Sequence, residues 1–112
     1  MNMKDELIKG EGEKYQKDNG IVMRCIVTLF RRGWFKTKEL MQSLEAYNLT
    51  CENVTDAICY FSDRHYIETR EEKNKEIIRA CDAESIFDLE IRLCADGVLI
   101  GKSLLEDIGI DL

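Results

Sequence analysis

The stretch between Thr50 and Arg70 constrains the fold most, because its hydrophobic period changes abruptly. Apolar residues first recur at intervals of three and four, as on one face of a helix, at Val54, Ala57, Ile58 and Phe61. After Asp63 the pattern becomes that of a strand over residues 66–70. Thr50 has a side chain that can cap the helix. The stretch therefore predicts a helix followed by a strand with almost no linker.

Two further helices are predicted ahead of this stretch. The first begins at Ile21 and has a wide apolar stripe, formed by Val22, Cys25, Ile26, Leu29 and Phe30. Its candidate capping residues are Asp18, Asn19 and Gly20. Gly33 suits the left-handed conformation that ends many helices. Residues 34–36 then predict a short strand, and Thr37 is expected to cap a second helix from Lys38 to about Tyr47.

The remaining elements are a strand and a last helix. Apolar and charged residues alternate over 89–93, which is typical of a half-buried strand. Residues 76–81 leave two interpretations open, an elaborated hairpin loop or a third strand that pairs back. A helix from about Gly97 to Leu105, capped by Asp96 or a neighbour, completes the chain.

These elements predict one α+β domain preceded by an arm. The chain has 112 residues, which suits a single domain. Residues 1–20 are charged and interrupted by glycine, so we expect a mobile arm there. The folded domain is then expected over residues 21–112. A three-helix core with a β-hairpin and a C-terminal helix is the predicted architecture.

Composition and cysteine use narrow the class of protein. No apolar run approaches the roughly 18 residues that a membrane helix needs, and the N-terminus has no apolar core of a signal peptide. The five cysteines are odd in number and form no CxxC pair, as expected for reduced thiols in a cytoplasmic protein. The only histidine, His65, makes no triad or metal cluster by itself. We therefore predict a non-enzymatic protein without metal or cofactor.

The order of elements resembles the winged-helix superfamily. The segment EIRLCADGVLIGKSLLE is similar to the end of the wing in multiple-antibiotic-resistance-type regulators, although Cys94 stands where threonine is usual. The ending LEDIGIDL resembles small winged-helix proteins of Mu-like prophages. The resemblance covers about residues 21–112. It implies a winged-helix fold in which the hairpin is the wing, and a regulator from a mobile element that binds double-stranded DNA.

Candidate DNA contacts follow from the chemistry of phosphate and base recognition. Asn53 and Thr55 are the third-helix side chains able to read bases. The basic candidates lie near the second helix, at the end of the third and at the wing tip, and are Arg31, Arg32, Lys36, Lys38, Arg64, Arg70, Lys73 and Lys75. The third helix, however, has three acids and no lysine or arginine from Cys51 to Asp63, and the net charge is −6. Like charge opposes phosphate binding.

The alternative function is protein binding without direct DNA contact. An acidic third helix suits a protein partner better than a phosphate backbone. Aromatic residues that could supply a contact patch are Trp34, Phe35, Tyr47, Tyr60 and Tyr66. The C-terminal helix, with Ile108 and Ile110 behind it, is a candidate homodimer contact. Both functions remain open at the level of sequence.

Overall fold

Helices and a small sheet share one apolar core. The computed structural model describes the backbone of residues 3–112 and the side chains of residues 10–112. Over that range the fold is α+β, with four α-helices and a three-stranded antiparallel sheet. The elements are α1 (Met3–Leu29), β1 (Trp34–Lys36), α2 (Thr37–Leu44), α3 (Cys51–Asp63), β2 (Ile67–Glu71), β3 (Leu89–Leu93) and α4 (Ala95–Gly101). Short 3-10 helices lie at Glu45–Tyr47, Ala80–Asp82 and Ile86–Asp88.

The sheet places the last strand in the middle. Its order is β1-β3-β2, with both pairings antiparallel. Trp34 of β1 and Glu68 of β2 lie opposite Arg92 of β3 on either side. Alternation sends Phe35 and Ile91 to the opposite face, where both are buried. The sheet therefore has one charged face and one face that packs on the helices.

The core confirms the helical periodicity of the sequence. The three longer helices contribute fully or almost fully buried side chains, which include Val22, Ile26, Leu40, Leu44, Val54, Ala57, Ile58 and Phe61. Strands β1 and β3 also lie where the sequence predicts them. Thr50 caps α3 as expected, in a reciprocal arrangement with Asn53 known as a capping box. Gly33 has the expected left-handed backbone, with φ +70.

The start predicted for the first helix, at Ile21, is wrong. Helix α1 begins at Met3, and Asp18, Asn19 and Gly20 are buried inside it rather than capping it. The reason is tertiary: the C-terminal tail, residues 106–112, packs across this part of α1. A Cβ on Gly20 would collide with the backbone of Asp111. The expected mobility of residues 1–20 stays a prediction, and residues 1–2 lie outside the described backbone.

Three other local predictions also change. Thr37 does not cap α2; its hydroxyl donates to the Leu89 carbonyl oxygen at 3.1 Å, while Lys36 takes the cap position. Helix α4 begins at Ala95, so Asp96 lies inside its first turn, and it ends at Gly101. Residues 76–81 form no third strand, because they make only an isolated bridge, between Ile77 and Arg70.

Candidate interaction surface

The exposed side of α3 is acidic. At 100° per residue, Glu52, Asp56 and Asp63 point within about 40° of one another around the helix axis. All three are exposed, whereas Val54 and Phe61 on the opposite side are buried. We call these three carboxylates the acidic stripe. The position that a recognition helix would use for DNA is thus negatively charged.

The two α3 residues predicted to read bases are used within the fold. Asn53 takes part in the capping box with Thr50, and its side-chain Nδ2 also donates to Asp18 Oδ2 at 3.1 Å. The Thr55 hydroxyl donates to the Cys51 carbonyl oxygen at 2.7 Å. Both side chains are half-buried. The capping box positions the start of α3, and it uses hydrogen-bonding atoms of Asn53 that would otherwise be available to another partner.

The connection between β2 and β3 covers part of α3. We call residues 72–88 the connecting loop. The Ala80 amide donates to Ser62 Oγ at 3.1 Å, and Arg79 Nε lies 2.8 Å from Asp63 Oδ1. Further along, the 3-10 helix Ile86–Asp88 packs against α2. These contacts hold the loop against the helices, so it adds Arg79 beside one end of the acidic stripe.

Several basic candidates are paired with carboxylates. Glu90 Oε1 accepts hydrogen bonds from Lys75 Nζ at 2.7 Å and Arg70 Nε at 2.8 Å. The bond from Lys75 contributes most to lowering the pKa of Glu90, and it outweighs the opposing effect of burial. Lys36 Nζ lies 3.6 Å from Glu72 Oε1. Three of the expected DNA contacts are therefore paired with carboxylates, although Arg70 and Lys75 share one and keep part of their positive charge.

The other basic candidates are exposed and lie on separate elements. Arg31 and Arg32 occupy the turn before β1, Lys38 lies in the first turn of α2, and Lys73 lies in the connecting loop. None of these four forms an ion pair within residues 10–112. Arg64 follows α3 and lies over the Tyr60 ring, 5.1 Å from its centroid. Among the eight basic candidates, these five have no carboxylate partner within residues 10–112.

The outer face of the sheet contains a cluster that sequence reasoning missed. The guanidinium carbons of Arg70 and Arg92 lie 4.0 and 4.8 Å from the centroid of the Trp34 ring. Arg92 also pairs with Glu68 across the strands. Cross-strand register brings these residues together, and strand alternation was the available signal. The Trp34 ring thus already contacts two arginines of its own chain.

The tail is fastened by a second missed cluster. The hydroxyls of Tyr60 and Tyr66 both donate to the Asp107 carboxylate, and the Gly109 amide donates to it at 2.8 Å. Burial alone would raise the pKa of Asp107, but these hydrogen bonds lower it below its usual value. Burial, followed by the bond to Asp107, raises the pKa of Tyr66 to about 12. Asn19 Nδ2 completes the attachment by donating to the Gly109 carbonyl oxygen at 2.9 Å.

The expected aromatic patch and the expected dimer contact each contain both exposed and buried residues. Tyr47 is exposed, but Phe35 and Tyr66 are buried, so the aromatic residues form no single exposed patch. Behind α4, Leu104 and Ile108 are 72% and 83% exposed, whereas Ile110, the second residue named for the dimer contact, is in the core. The homodimer stays a prediction.

No family model, curated protein or solved structure matches the chain. Among the helices that the structure describes, none is both long enough and apolar enough to cross a membrane. Within the same described part of the chain, no three His, Cys, Asp or Glu side chains are grouped so that they could hold a metal ion.

Proposed function

We propose that this chain is a winged-helix module that binds another protein rather than reading duplex DNA. The layout of helices and the antiparallel order β1-β3-β2 are compatible with a winged helix. In that fold α2 and α3 are the helix-turn-helix and the connecting loop takes the place of the wing. Fold does not decide function, so the proposal rests on the surface of α3.

The observation that carries the proposal is the acidic stripe. A recognition helix lies in the major groove between two rows of phosphates. Glu52, Asp56 and Asp63 would bring negative charge there, and α3 has no base along its length to offset it. Phosphate contacts dominate affinity for DNA. A helix with this charge is better suited to a protein surface.

The partner expected from this charge is a protein with a basic contact surface. Complementary charge guides association and selects the correct partner. Arg79 already neutralises Asp63 in part, so Glu52 and Asp56 are the carboxylates most available to a partner. The proposed contact surface is therefore the N-terminal half of α3.

A selection experiment tests this surface directly. A random peptide display library is selected on the full chain, and affinities of the enriched peptides are measured by calorimetry. We expect basic peptides whose affinity falls at least tenfold for Glu52→Lys with Asp56→Lys. The matched control is Glu11→Lys with Glu13→Lys, which reverses two exposed charges on α1 and leaves affinity unchanged. Peptides that bind both variants equally well would remove α3 from the proposal.

DNA binding is the second candidate, favoured by the exposed basic residues without ion pairs. It would use Arg31, Arg32, Lys38 and Lys73. Fluorescence anisotropy of a labelled duplex, measured from low to physiological salt, separates the two functions. Our proposal predicts no saturable binding even at low salt. Saturable binding that falls steeply with salt, and that is lost on replacing Arg31, Arg32 and Lys38 with alanine, would establish DNA binding instead.

A further inference from the structure

Two thiols from distant parts of the chain meet beside the acidic stripe. Cys59 is half-buried on α3, and Cys81 is exposed in the 3-10 helix of the connecting loop. Cys81 Sγ lies 3.9 Å from Asp63 Oδ2. Asp63 follows Cys59 by one helical turn, so the two α3 side chains are neighbours. The Cys81 thiol is also one of the groups that raise the pKa of Cys59, as expected of a close neighbour.

Contacts with α3 fix the part of the connecting loop that carries Cys81. Ala80, next to Cys81, is buried and donates its amide hydrogen to Ser62 Oγ at 3.1 Å. Arg79, on the other side of Ala80, pairs with Asp63. Contacts on consecutive residues thus fix the backbone that presents Cys81 to α3. Disulfides need such positioning, because their Cα atoms must lie within about 7 Å of each other.

We propose that Cys59 and Cys81 form a disulfide when the chain meets a low-molecular-weight disulfide such as oxidised glutathione, and that this bond fastens the connecting loop to α3. The exposed Cys81 thiolate attacks one sulfur of oxidised glutathione and releases one glutathione thiolate. Cys59, after losing its proton to solvent, attacks the Cys81 sulfur of the mixed disulfide and releases the second glutathione. Two protein thiols are oxidised and one small disulfide is reduced to two thiols.

Distance along α3 excludes a disulfide between Cys59 and the other cysteine of that helix. Cys51 is also exposed on α3, but eight residues before Cys59. At 1.5 Å per residue the two lie about 12 Å apart along the axis, beyond the reach of a disulfide. Cys25 on α1 and Cys94 before α4 are half-buried. The exposed thiol with a neighbouring thiol is Cys81.

The surroundings of Cys59 set the pH dependence of the second step. Burial, as the largest cause, acts together with Cys81, Asp63 and Asp56 to raise the pKa of Cys59 to about 12. Arg79 and Asp82 are the charged groups that the connecting loop adds nearby. Because the thiolate is the attacking species, closure of the ring is expected to speed up about tenfold per pH unit near neutrality.

Mass spectrometry of the full chain tests the pairing. The protein is incubated with oxidised glutathione, quenched with acid, alkylated and digested with trypsin. Trypsin leaves Cys51 and Cys59 on one peptide, because no Lys or Arg lies between them. The Cys51→Ser variant removes this ambiguity and serves as the matched control, which keeps the cross-link. We expect a peptide containing Cys59 joined to one containing Cys81, and its loss in Cys81→Ser. A stable glutathione adduct on Cys81, no reaction at all, or a dominant bond to Cys25 or Cys94 would overturn the proposal.

Hydrogen exchange tests whether the bond fastens the loop. Amide exchange over residues 72–88 is compared between reduced and oxidised protein. We expect exchange to slow severalfold on oxidation, while the Cys59→Ser variant shows no change under the same treatment. Unchanged exchange in a cross-linked protein would contradict the fastening. Neither readout involves a partner, so failure here leaves the proposed function untouched.

Discussion

Asp107 and Glu90 are two carboxylates that each collect several donors, but the donors differ in charge. Asp107 is held mainly by the neutral hydroxyls of Tyr60 and Tyr66. Glu90 is held by the cations of Arg70 and Lys75. The first arrangement attaches the tail and leaves a net negative charge. The second offsets one of the two positive charges that the sequence had suggested for DNA. The contrast shows that a carboxylate can organise either packing or charge, depending on its donors.

The largest expected effect comes from a steric substitution that displaces the tail, which Asp107 helps to attach. Replacing Gly20 with alanine puts a Cβ into the Asp111 backbone, so the tail must shift away from α1. We expect a loss of about 2–3 kcal/mol in the free energy of unfolding, as for overpacked sites. Urea unfolding measures it. Gly12 is the matched control, because it lies on the same helix with no atom within 4 Å of its Cβ position, and alanine there should stabilise slightly. Equal effects at both sites would show that the tail is not packed as described.

Asp107→Asn breaks the same cluster chemically. The two tyrosine hydroxyls and the Gly109 amide lose a charged acceptor, for which we expect a cost of about 1.5–3 kcal/mol. Glu106→Gln, at the exposed neighbouring position, should change stability little. Urea unfolding of both variants gives the comparison. If the two variants lose the same stability, the cluster does not fasten the tail.

Acid should weaken both carboxylate sites. The pKa of each is lowered in the folded protein, so each stabilising contribution is complete above the ordinary carboxyl pKa of about 4 and disappears as the pH falls through the lowered value. Unfolding midpoints between pH 6 and pH 2 should fall less steeply for Asp107→Asn than for the original chain. A parallel pH dependence would mean that Asp107 titrates alike in the folded and unfolded states.

Glu90→Gln should have the smallest effect on stability and the clearest effect on charge. Partly exposed ion pairs contribute about 0.2–1 kcal/mol, and salt screens them. We expect added salt to reduce the difference in unfolding free energy between Glu90→Gln and the original chain. The corresponding difference for Asp107→Asn should respond less, because its main donors are neutral. Equal salt responses would remove the distinction between the two sites.

The sequence predicted the elements whose signals are local. Helix α3 and strand β3 follow from hydrophobic period, and the Thr50 cap follows from residue type. The extension of α1 from Met3 was missed, because the segment KGEGEK has no apolar stripe and contains glycines. The C-terminal tail covers residues 18–20. Contacts between residues about 90 positions apart leave no signal in the local sequence pattern.

The candidate surface was predictable only in part. The acidic stripe could be read from the α3 sequence together with helical geometry. The pairing of Arg70 with Glu90 depends on strand register, which the long segment between β2 and β3 left undetermined. The Asp107 cluster depends on where the tail docks. The meeting of Cys59 and Cys81 likewise depends on the path of the connecting loop, which no periodic pattern fixes.

The short bridge between Ile77 and Arg70 has a consequence for solubility. Along the outer edge of β2, Glu71 and Thr69 already hydrogen-bond to Glu76 and Ile78 of the connecting loop. The loop then turns away to α3 at Ala80. Exposed strand edges are templates for pairing with other chains, and proteins protect them by covering. By covering most of this edge before it leaves, the loop makes β2 a poor starting point for aggregation.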